Sequence, residues 1–263
     1  MRYFTDKTEI KKRNELISLM NDWKNTIKNK GKIAFFDDGK EYDAIDYFNS
    51  DGFFPGYFSA KKRVLFIARE ARYFSGEDRI EYELENFDSL NATEYSYWRR
   101  ILYLTYGIQH EGKVKFEDLP NANEILEEMR KSNDYGFAIM NISKYSNDRD
   151  DGGNADFSLI NRFLADSELD RRNFVMEEIK LLSPNIVITA NLWNGGIRDD
   201  LMNLAFPENL FSNGIGTKNC EAYLNDFKIG DKNAKLIDLY HFSSRKKDAD
   251  YFYNPVMNLL FPK

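Results

Sequence analysis

Cysteine and histidine are scarce in this sequence. The 263 residues include one cysteine, Cys220, and two histidines, His110 and His241. A single cysteine excludes an internal disulfide, a CxxC redox pair, and any zinc site or iron–sulfur cluster held by cysteines. Two histidines exclude a histidine-rich metal site. A metal held by carboxylates alone stays open, but no motif points to one, so we predict neither a metal nor a cofactor.

Long apolar runs and an excess of positive charge are also missing. No stretch reaches the roughly 20 apolar residues that cross a bilayer, and the N-terminal residues lack the apolar centre of a secretory signal. These features predict a cytoplasmic protein without a membrane partner. The net charge of −6 disfavours a broad phosphate-binding surface, so contact with nucleic acid depends on a local basic cluster.

Aromatic residues, in contrast, are abundant. Phe, Tyr and Trp make up 15% of the chain, and most are expected in the core because aromatic side chains are large apolar fillers. The segment 53–58 (Phe-Phe-Pro-Gly-Tyr-Phe) concentrates several of them just before the first apolar run. Two interpretations stay open for this segment: a loop that packs on the core, or the exposed surface of a protein-interaction domain.

Four short apolar runs predict the strands of a sheet. They cover residues 64–68, 137–142, 185–190 and 235–240, and polar or turn-forming residues follow each one, as they follow buried parallel strands. Amphipathic segments alternate with these runs and predict helices. The predicted helices are 6–30, 44–48, 91–107 (capped by Asn91 or Thr93), 123–131, 155–165, 170–182 and one from 248 onwards; 222–229 is predicted as an edge or hairpin strand.

This alternation predicts a three-layer α/β/α sandwich with a mainly parallel central sheet. We expect a single α/β domain over residues 1–263, in which residues 1–31 form an N-terminal helical addition. Right-handed crossovers bring the carboxyl ends of parallel strands to one edge of the sheet. Ligands of open α/β sheets bind at that edge, so the polar residues just beyond the four runs form the candidate site.

Three residues at this edge carry candidate chemistry. Glu70, after the first run, is able to orient a water molecule, or it forms an ion pair with Arg69 or Arg72. Asn141, at the end of the second run, offers the donor and acceptor that the edge of an amide-like heterocycle requires, or it satisfies neighbouring backbone. His241, after the fourth run, suits acid–base chemistry or donation to an oxyanion, or it caps a helix.

A local basic cluster shares the same edge. Such a cluster is able to hold a phosphate, and a run of charges is also typical of a solvated face. Its members are Lys144, Arg149, Arg245, Lys246 and Lys247.

Several of these segments resemble the motifs of one enzyme superfamily. The string Phe137-Ala-Ile-Met-Asn141-Ile-Ser-Lys144-Tyr145 looks like the strand-and-loop motif of the uracil-DNA glycosylase superfamily, in which a strand ends in an asparagine that reads a flipped-out base. Residues 178–190 are similar to the helix–proline–strand unit that follows it. His241-Phe-Ser243 resembles the His-Pro-Ser loop that supplies the histidine for the leaving base. Residues 64–72 occupy the place of the first motif, so the resemblance extends over residues 60–250.

The resemblance implies a uracil-DNA glycosylase-like fold and a diverged hydrolase that cleaves the N-glycosidic bond of a base in nucleic acid or a nucleotide, as in DNA repair. It implies that Glu70 orients the attacking water, Asn141 pairs with the base edge and His241 stabilises the departing base anion. DNA or a nucleotide is then the expected partner. The residues expected to contact the substrate are Arg69, Arg72, Tyr73, Phe74, Lys144, Tyr145, Asn191, Ser243, Ser244 and Arg245.

The chain departs from the family pattern at two points. Arg69 and Arg72 stand in the first motif, where the family has small glycine and proline residues, and Phe242 stands where the family has proline. Arginines in this place are able to fill or reshape a base pocket. An alternative function therefore stays open, which is non-catalytic nucleotide or nucleic-acid binding, or protein interaction, on the same fold.

Overall fold

The centre of the fold is a mixed seven-stranded sheet. The structure, a computed structural model, describes residues 3–33, 40–74, 76–147, 154–193, 195–218 and 221–262. The strands are β1 (Lys32–Ile33), β2 (Tyr42–Asp43), β3 (Gly52–Phe53), β4 (Val64–Ala68), β5 (Phe137–Asn141), β6 (Ile186–Ala190), β7 (Phe211–Gly216), β8 (Ala222–Ile229) and β9 (Lys232–Leu239). β1 and β2 pair with each other, and the other seven follow the order β3-β5-β4-β6-β9-β8-β7.

Eight α-helices accompany the sheet in the described ranges, which confirms a mixed α/β fold. They are α1 (Lys7–Ile27), α2 (Arg79–Asn86), α3 (Ser96–Gln109), α4 (Ala122–Ser132), α5 (Phe157–Asp166), α6 (Phe174–Leu182), α7 (Asp199–Ala205) and α8 (Asn254–Leu260). Short 3-10 turns cover Ala44–Tyr47, Phe116–Asp118 and Glu208–Leu210, and a π-helical turn over Ala249–Tyr253 leads into α8. Within these ranges we find no helix with the length and apolarity that a bilayer crossing requires.

All four predicted apolar runs form strands, and these strands are parallel. β5, β4, β6 and β9 lie side by side in the centre of the sheet. β3 pairs with β5 in antiparallel orientation. On the opposite side of the sheet, β8 pairs with β9 and β7 pairs with β8, both in antiparallel orientation. The sheet is therefore more mixed than predicted. β3 has two residues and β7 is rich in Ser, Asn and Gly, so neither shows the alternation that marks a strand in a sequence.

The strand register brings four loops to one edge of the sheet, called the carboxyl edge below. Ala68 lies beside Asn141, and Ala190 lies beside Leu239. Every residue of β4, β5 and β6 is buried, so these three strands expose no side chain along their length. The loops that follow β4, β5, β6 and β9 therefore meet at this edge.

The aromatic segment 53–58 is held inside the fold by α1. The buried side chain of Glu9 accepts the backbone N–H groups of Gly56 and Phe58 at 3.2 and 3.1 Å. The interpretation of this segment as an exposed interaction surface is wrong, because its rings pack into the core. Three of its side chains have no exposed surface: Phe53, Phe54 and Tyr57.

The helix predicted over 91–107 begins later than expected, and an unpredicted helix precedes it. The helix expected to begin at Asn91 begins at Ser96, and Tyr95 is its N-cap residue, without a side-chain hydrogen bond. Neither Asn91 nor Thr93 caps it, because residues 91–95 form a turn in which the N–H of Glu94 donates to the carbonyl of Asn91 at 3.0 Å. The charged segment before it forms α2, whose N-terminus is capped by Asp78.

Candidate functional site

Glu70 is a largely buried carboxylate just beyond β4. Its Oε1 accepts hydrogen bonds from Nδ2 of Asn147 and from the N–H of Asp156, both at 3.1 Å. Its Oε2 is buried and has no hydrogen-bond partner among the described residues. Burial raises the pKa of Glu70 to about 7, against the weaker opposing effects of the two hydrogen bonds and of Arg69. Glu70 is therefore partly protonated at neutral pH, so it is able both to accept and to donate a proton there.

Arg69 and His241 interact electrostatically at the same edge. Burial, with the positive charges of Arg69 and Arg100, lowers the pKa of His241 to about 4, so its ring is neutral at pH 7. The guanidinium of Arg69 lies 5.3 Å from the ring centre of Phe157, and its Nε is buried without a partner in the described ranges. Burial lowers the pKa of Arg69, and the charge of Glu70 opposes this shift. The edge thus combines a carboxyl group, a cation and a neutral imidazole.

The hydrogen bond to the ring of His241 selects its tautomer. The backbone N–H of Ser243 lies 3.3 Å from Nδ1 of His241. Because a backbone N–H only donates, Nδ1 accepts and the neutral ring carries its proton on Nε2. A neutral imidazole N–H stabilises a developing anion by hydrogen bonding, without transferring a proton. Of the roles predicted for His241, this geometry favours donation to an anion.

Arg100, in α3, anchors the loop that carries His241. Its side chain is fully enclosed, with Nε donating to Asp248 Oδ1 at 2.8 Å and Nη2 donating to the carbonyl of Lys246 at 2.6 Å. Nη1 donates to the carbonyl of Phe242. Sequence reasoning missed Arg100, because an arginine in an amphipathic helix looks like a solvent-facing residue until its tertiary contacts are known.

We expect Arg100→Lys to loosen residues 242–248 while the central sheet stays folded. Lysine keeps the charge but donates from one point, so it cannot hold three acceptors in place. Backbone amides of 242–248 are expected to exchange hydrogen at least about tenfold faster, with β4 and β5 unchanged. Hydrogen exchange with mass spectrometry measures both, and equal exchange rates for 242–248 in the two proteins contradict the anchoring role.

Asn141 ends β5 with its side chain buried and oriented by Asp51. Its backbone N–H donates to Asp51 Oδ2 at 2.6 Å, and its Nδ2 lies 3.5 Å from Asp51 Oδ1. Its Oδ1 has no hydrogen-bond partner in the part of the chain that the structure describes. A buried amide oxygen without a donor is unusual. Asp51 therefore uses the donor side of Asn141, and the remaining acceptor is buried beneath the carboxyl edge.

Lys144 is a buried cation, which contradicts its predicted contact with substrate. Its Nζ lies 2.8 Å from Asp51 Oδ2 and 2.8 Å from Glu178 Oε2, and the three side chains are at most 1% exposed. Burial alone would lower the pKa of Lys144, but the two carboxylates outweigh it and raise the pKa. The charge of Lys144 is thus directed into the protein.

Tyr145 is also buried, so its predicted substrate contact is wrong as well. Its ring packs edge-on at 4.8 Å from that of Phe163. The reason for both corrections is that residues 142–147 form a buried extension beside the end of β4. Within it, the N–H of Ser143 donates to the carbonyl of Arg69, and the N–H of Asn147 donates to the carbonyl of Ala71, each at 2.9 Å.

Tyr73 is the exposed aromatic residue of the loop after β4. It is 71% exposed, and its φ of +61° lies in the left-handed region that residues other than glycine seldom adopt. The guanidinium of Arg72 lies 5.5 Å from the Tyr73 ring centre and donates to the carbonyl of Asn154 at 2.9 Å. Phe74 packs edge-on against Tyr82 at 4.9 Å. Of these two aromatic residues predicted to contact the substrate, Tyr73 presents its ring to solvent and Phe74 is held by the fold.

The remaining predicted residues follow β6 and β9. Asn191 begins the loop after β6 with φ +60°. Ser243 and Arg245 are exposed, and Ser244 has a buried Oγ without a hydrogen-bond partner in the described ranges. Arg149 of the basic cluster lies outside the described residues.

Metal-binding side chains do not gather at this edge. Within the described ranges, no group of three or more His, Cys, Asp or Glu side chains is arranged to hold a metal ion. Comparison of the chain with protein-family models, curated proteins and solved structures finds no match. The evidence for function therefore lies in the chemistry of the carboxyl edge.

Proposed function

We propose that this protein is a diverged glycosylase-like hydrolase that cleaves the N-glycosidic bond of a base in a nucleic acid or nucleotide. The proposal includes the three-layer α/β/α arrangement of the uracil-DNA glycosylase superfamily. The observation that supports it most is the combination at the carboxyl edge of Glu70, whose pKa is about 7, with Arg69 and the neutral ring of His241.

Glu70 is the general base of this proposal. Proton transfer at neutral pH is most efficient for a group whose pKa lies near 7. In the ionised form, Oε2 accepts a hydrogen bond from the attacking water. The water oxygen bonds to the anomeric carbon, its proton passes to Glu70, and the bond from that carbon to the base nitrogen breaks. The electron pair of that bond leaves with the base.

His241 and Arg69 compensate the charge that develops on the leaving base. The Nε2–H of His241 donates to the base anion, and the guanidinium of Arg69 supplies a positive charge in a poorly solvated place. Fixed donors and charges of this kind stabilise a transition state because they need not reorganise during the reaction.

Asn141 and Tyr73 support recognition of a base removed from its stack. The unpartnered Oδ1 of Asn141 becomes an acceptor for an N–H group of the base edge when the loops above it part to admit the base. The exposed ring of Tyr73 offers a stacking surface. Stacking on aromatic rings depends little on overall charge, which suits a chain of net charge −6. A nucleotide or an unpaired base is therefore a better substrate than an intact duplex.

Base release is the direct test of this function. The purified protein is incubated with single-stranded oligonucleotides that contain uracil, hypoxanthine or an alkylated base, and with free nucleotides, and released base is measured by chromatography. We expect wild-type release to rise as pH increases through about 7, because Glu70 must be ionised. His241→Ala is expected to lower the single-turnover rate by about 100-fold or more.

His110→Ala is the matched control. His110 is the other histidine of the chain, and it stacks on Tyr106 at the end of α3. Its replacement is expected to leave base release unchanged. Absence of release from every substrate, or equal rates for His241→Ala and wild type, contradicts the hydrolase.

Non-catalytic binding is the second candidate function, and Arg69 favours it. Its partly buried guanidinium is able to hold an anion in the place where a base would sit. Calorimetric binding of a nucleotide that is weakened by Arg69→Gln, without release of base, supports this alternative over the hydrolase.

A further inference from the structure

A cavity opens beside the carboxyl edge, lined by side chains that the glycosylase proposal does not use. It is open to solvent and has a volume of about 460 Å³, within the range of small-molecule sites. Its lining consists of three aromatic rings, one leucine and two side chains with acceptor oxygens. These residues are Trp193, Phe211, Tyr223, Asn225, Leu236 and Asp238.

The antiparallel register of β8 and β9 builds the floor of this cavity. Tyr223 lies opposite Asp238, and Asn225 lies opposite Leu236. Paired residues share a face, and so do residues two apart along a strand. Asp238 and Asn225 are thus diagonal neighbours on one face, with their acceptor oxygens on the same side of the sheet.

Aromatic rings form the walls. Trp193, in the loop after β6, packs edge-on against Phe211 at 6.0 Å and is 43% exposed. Tyr223 is 49% exposed. Large aromatic rings in the surface of a concave site are typical of surfaces that stack on flat or cationic ligands.

Asp238 is a carboxylate whose charge is not compensated by a cation. Burial raises its pKa to about 6, and the opposing effects come from neutral donors: the hydroxyl of Thr189 at 2.5 Å and the backbone N–H groups of Leu192 and Asn191. No positive group among the described residues contributes to this pKa. A carboxylate has about four acceptor positions, so three donors leave capacity for another. Carboxylates this poorly solvated are normally paired with a positive charge.

We propose that this cavity binds a small organic cation with a flat, N–H-bearing head, of the guanidinium or amidinium class. The flat head stacks between the aromatic walls, and its N–H groups donate to the carboxylate of Asp238 and the amide oxygen of Asn225. Guanidinium-type groups combine planarity, fixed donors and weak hydration, which suits this lining better than a compact, strongly hydrated ammonium. The net charge of −6 also favours a cation.

Benzamidine and its uncharged isostere benzamide test this inference on the full chain. Both are flat and of nearly equal size, so stacking alone binds them equally. We expect benzamidine to bind at least about tenfold more tightly at pH 7.5, because charge-assisted hydrogen bonds are roughly twice as strong as neutral ones. Binding of benzamidine is expected to weaken as pH falls through about 6, where Asp238 takes up a proton. Calorimetry measures the affinities, and equal affinity for the two probes overturns the proposal.

Variants locate the binding. Asp238→Asn and Trp193→Ala are each expected to weaken benzamidine binding at least about tenfold. Asp226→Asn is the control. Asp226 forms an ion pair with Lys235, and because consecutive residues of a strand face opposite sides of the sheet, it lies on the side opposite to Asn225. Thermal unfolding shows whether Asp238→Asn folds. If it does not fold, the affinity of Trp193→Ala for benzamidine and the pH dependence of binding to the wild type still test the proposal.

Three further outcomes overturn the proposal. They are equal weakening by Asp226→Asn, an unchanged affinity in Trp193→Ala, and absence of binding at millimolar benzamidine. If a blocked arginine peptide binds more tightly than methylguanidine, the ligand is an arginine side chain of a peptide, and the assignment to a small molecule is overturned. The test does not involve base release, so its failure and the failure of the proposed hydrolase are distinguishable.

Discussion

Glu70→Gln is expected to stabilise the protein at pH 8 and to slow base release by at least about 100-fold. Holding a carboxyl group at a pKa of about 7, when its ordinary value is 4.5, disfavours the folded state by roughly 3 kcal/mol above pH 7. Glutamine keeps an oxygen for the N–H donors of Asn147 and Asp156, and it carries no charge. Since its amide is also poorly solvated, we expect a net gain of about 1–2 kcal/mol.

The pH dependence of this gain follows from the raised pKa. Below about pH 4.5, Glu70 is protonated in both the folded and the unfolded protein, so the variant and wild type differ little. As pH rises towards 7, the unfolded protein loses this proton and the folded protein keeps it, so wild-type stability falls. The advantage of Glu70→Gln therefore grows between about pH 4.5 and 7 and is constant above that.

Urea unfolding at pH 4.5, 6 and 8 measures this effect. Glu128→Gln, at an exposed position of α4, is the matched control and is expected to change stability by less than about 0.5 kcal/mol at every pH. A loss of stability in Glu70→Gln at pH 8 contradicts the burial argument. If a substrate is found, the same variant is expected to lower the rate about 100- to 10,000-fold, because no general base remains.

Lys144→Met is expected to lower the free energy of unfolding by about 3–5 kcal/mol at pH 8. The ammonium of Lys144 lies between Asp51 and Glu178, and removing it leaves two carboxyl groups buried without a cation. Burial already raises the pKa of Glu178, against the opposing charge of Lys144. The loss is expected to shrink towards pH 5, where the stranded carboxyl groups take up protons.

Two comparisons separate this effect from a general loss of charge. Lys131→Met removes a surface ammonium, 75% exposed, that pairs with Glu127, and it is expected to change stability by less than about 1 kcal/mol. The triple variant Asp51→Asn, Lys144→Met, Glu178→Gln replaces all three charges and is expected to recover part of the loss. A loss under about 1 kcal/mol for Lys144→Met alone contradicts a buried ion cluster.

The central strands and the edge at which their polar ends meet were predictable because their signals are local. A run such as 64–68 is wholly apolar and ends abruptly in Arg69 and Glu70, so a reader of the sequence sees both the strand and its end. The same holds for Asn141 and His241. The carboxyl ends of parallel strands meet at one edge of the sheet because of the topology. The shared edge of Glu70, Asn141 and His241 was therefore predictable without knowing the contacts of their side chains.

Errors arose where a residue's environment comes from distant parts of the chain. Lys144 lies in a polar stretch, yet its partners are 93 and 34 residues away, at Asp51 and Glu178. Tyr145 is buried against α5 for the same reason. The strands β3 and β7 were missed because pairing with a neighbour, and not their own composition, makes them strands.

The sequence by itself therefore determined which segments are buried strands and which polar residues stand at their ends, because hydrophobic patterning is a property of neighbouring residues. Only the tertiary structure decided the protonation state of those residues. The raised pKa of Glu70, the neutral ring of His241 and the uncompensated carboxylate of Asp238 all depend on how far each group is removed from water and from other charges. The groups that set these environments are distant in the sequence and become neighbours only in the folded structure.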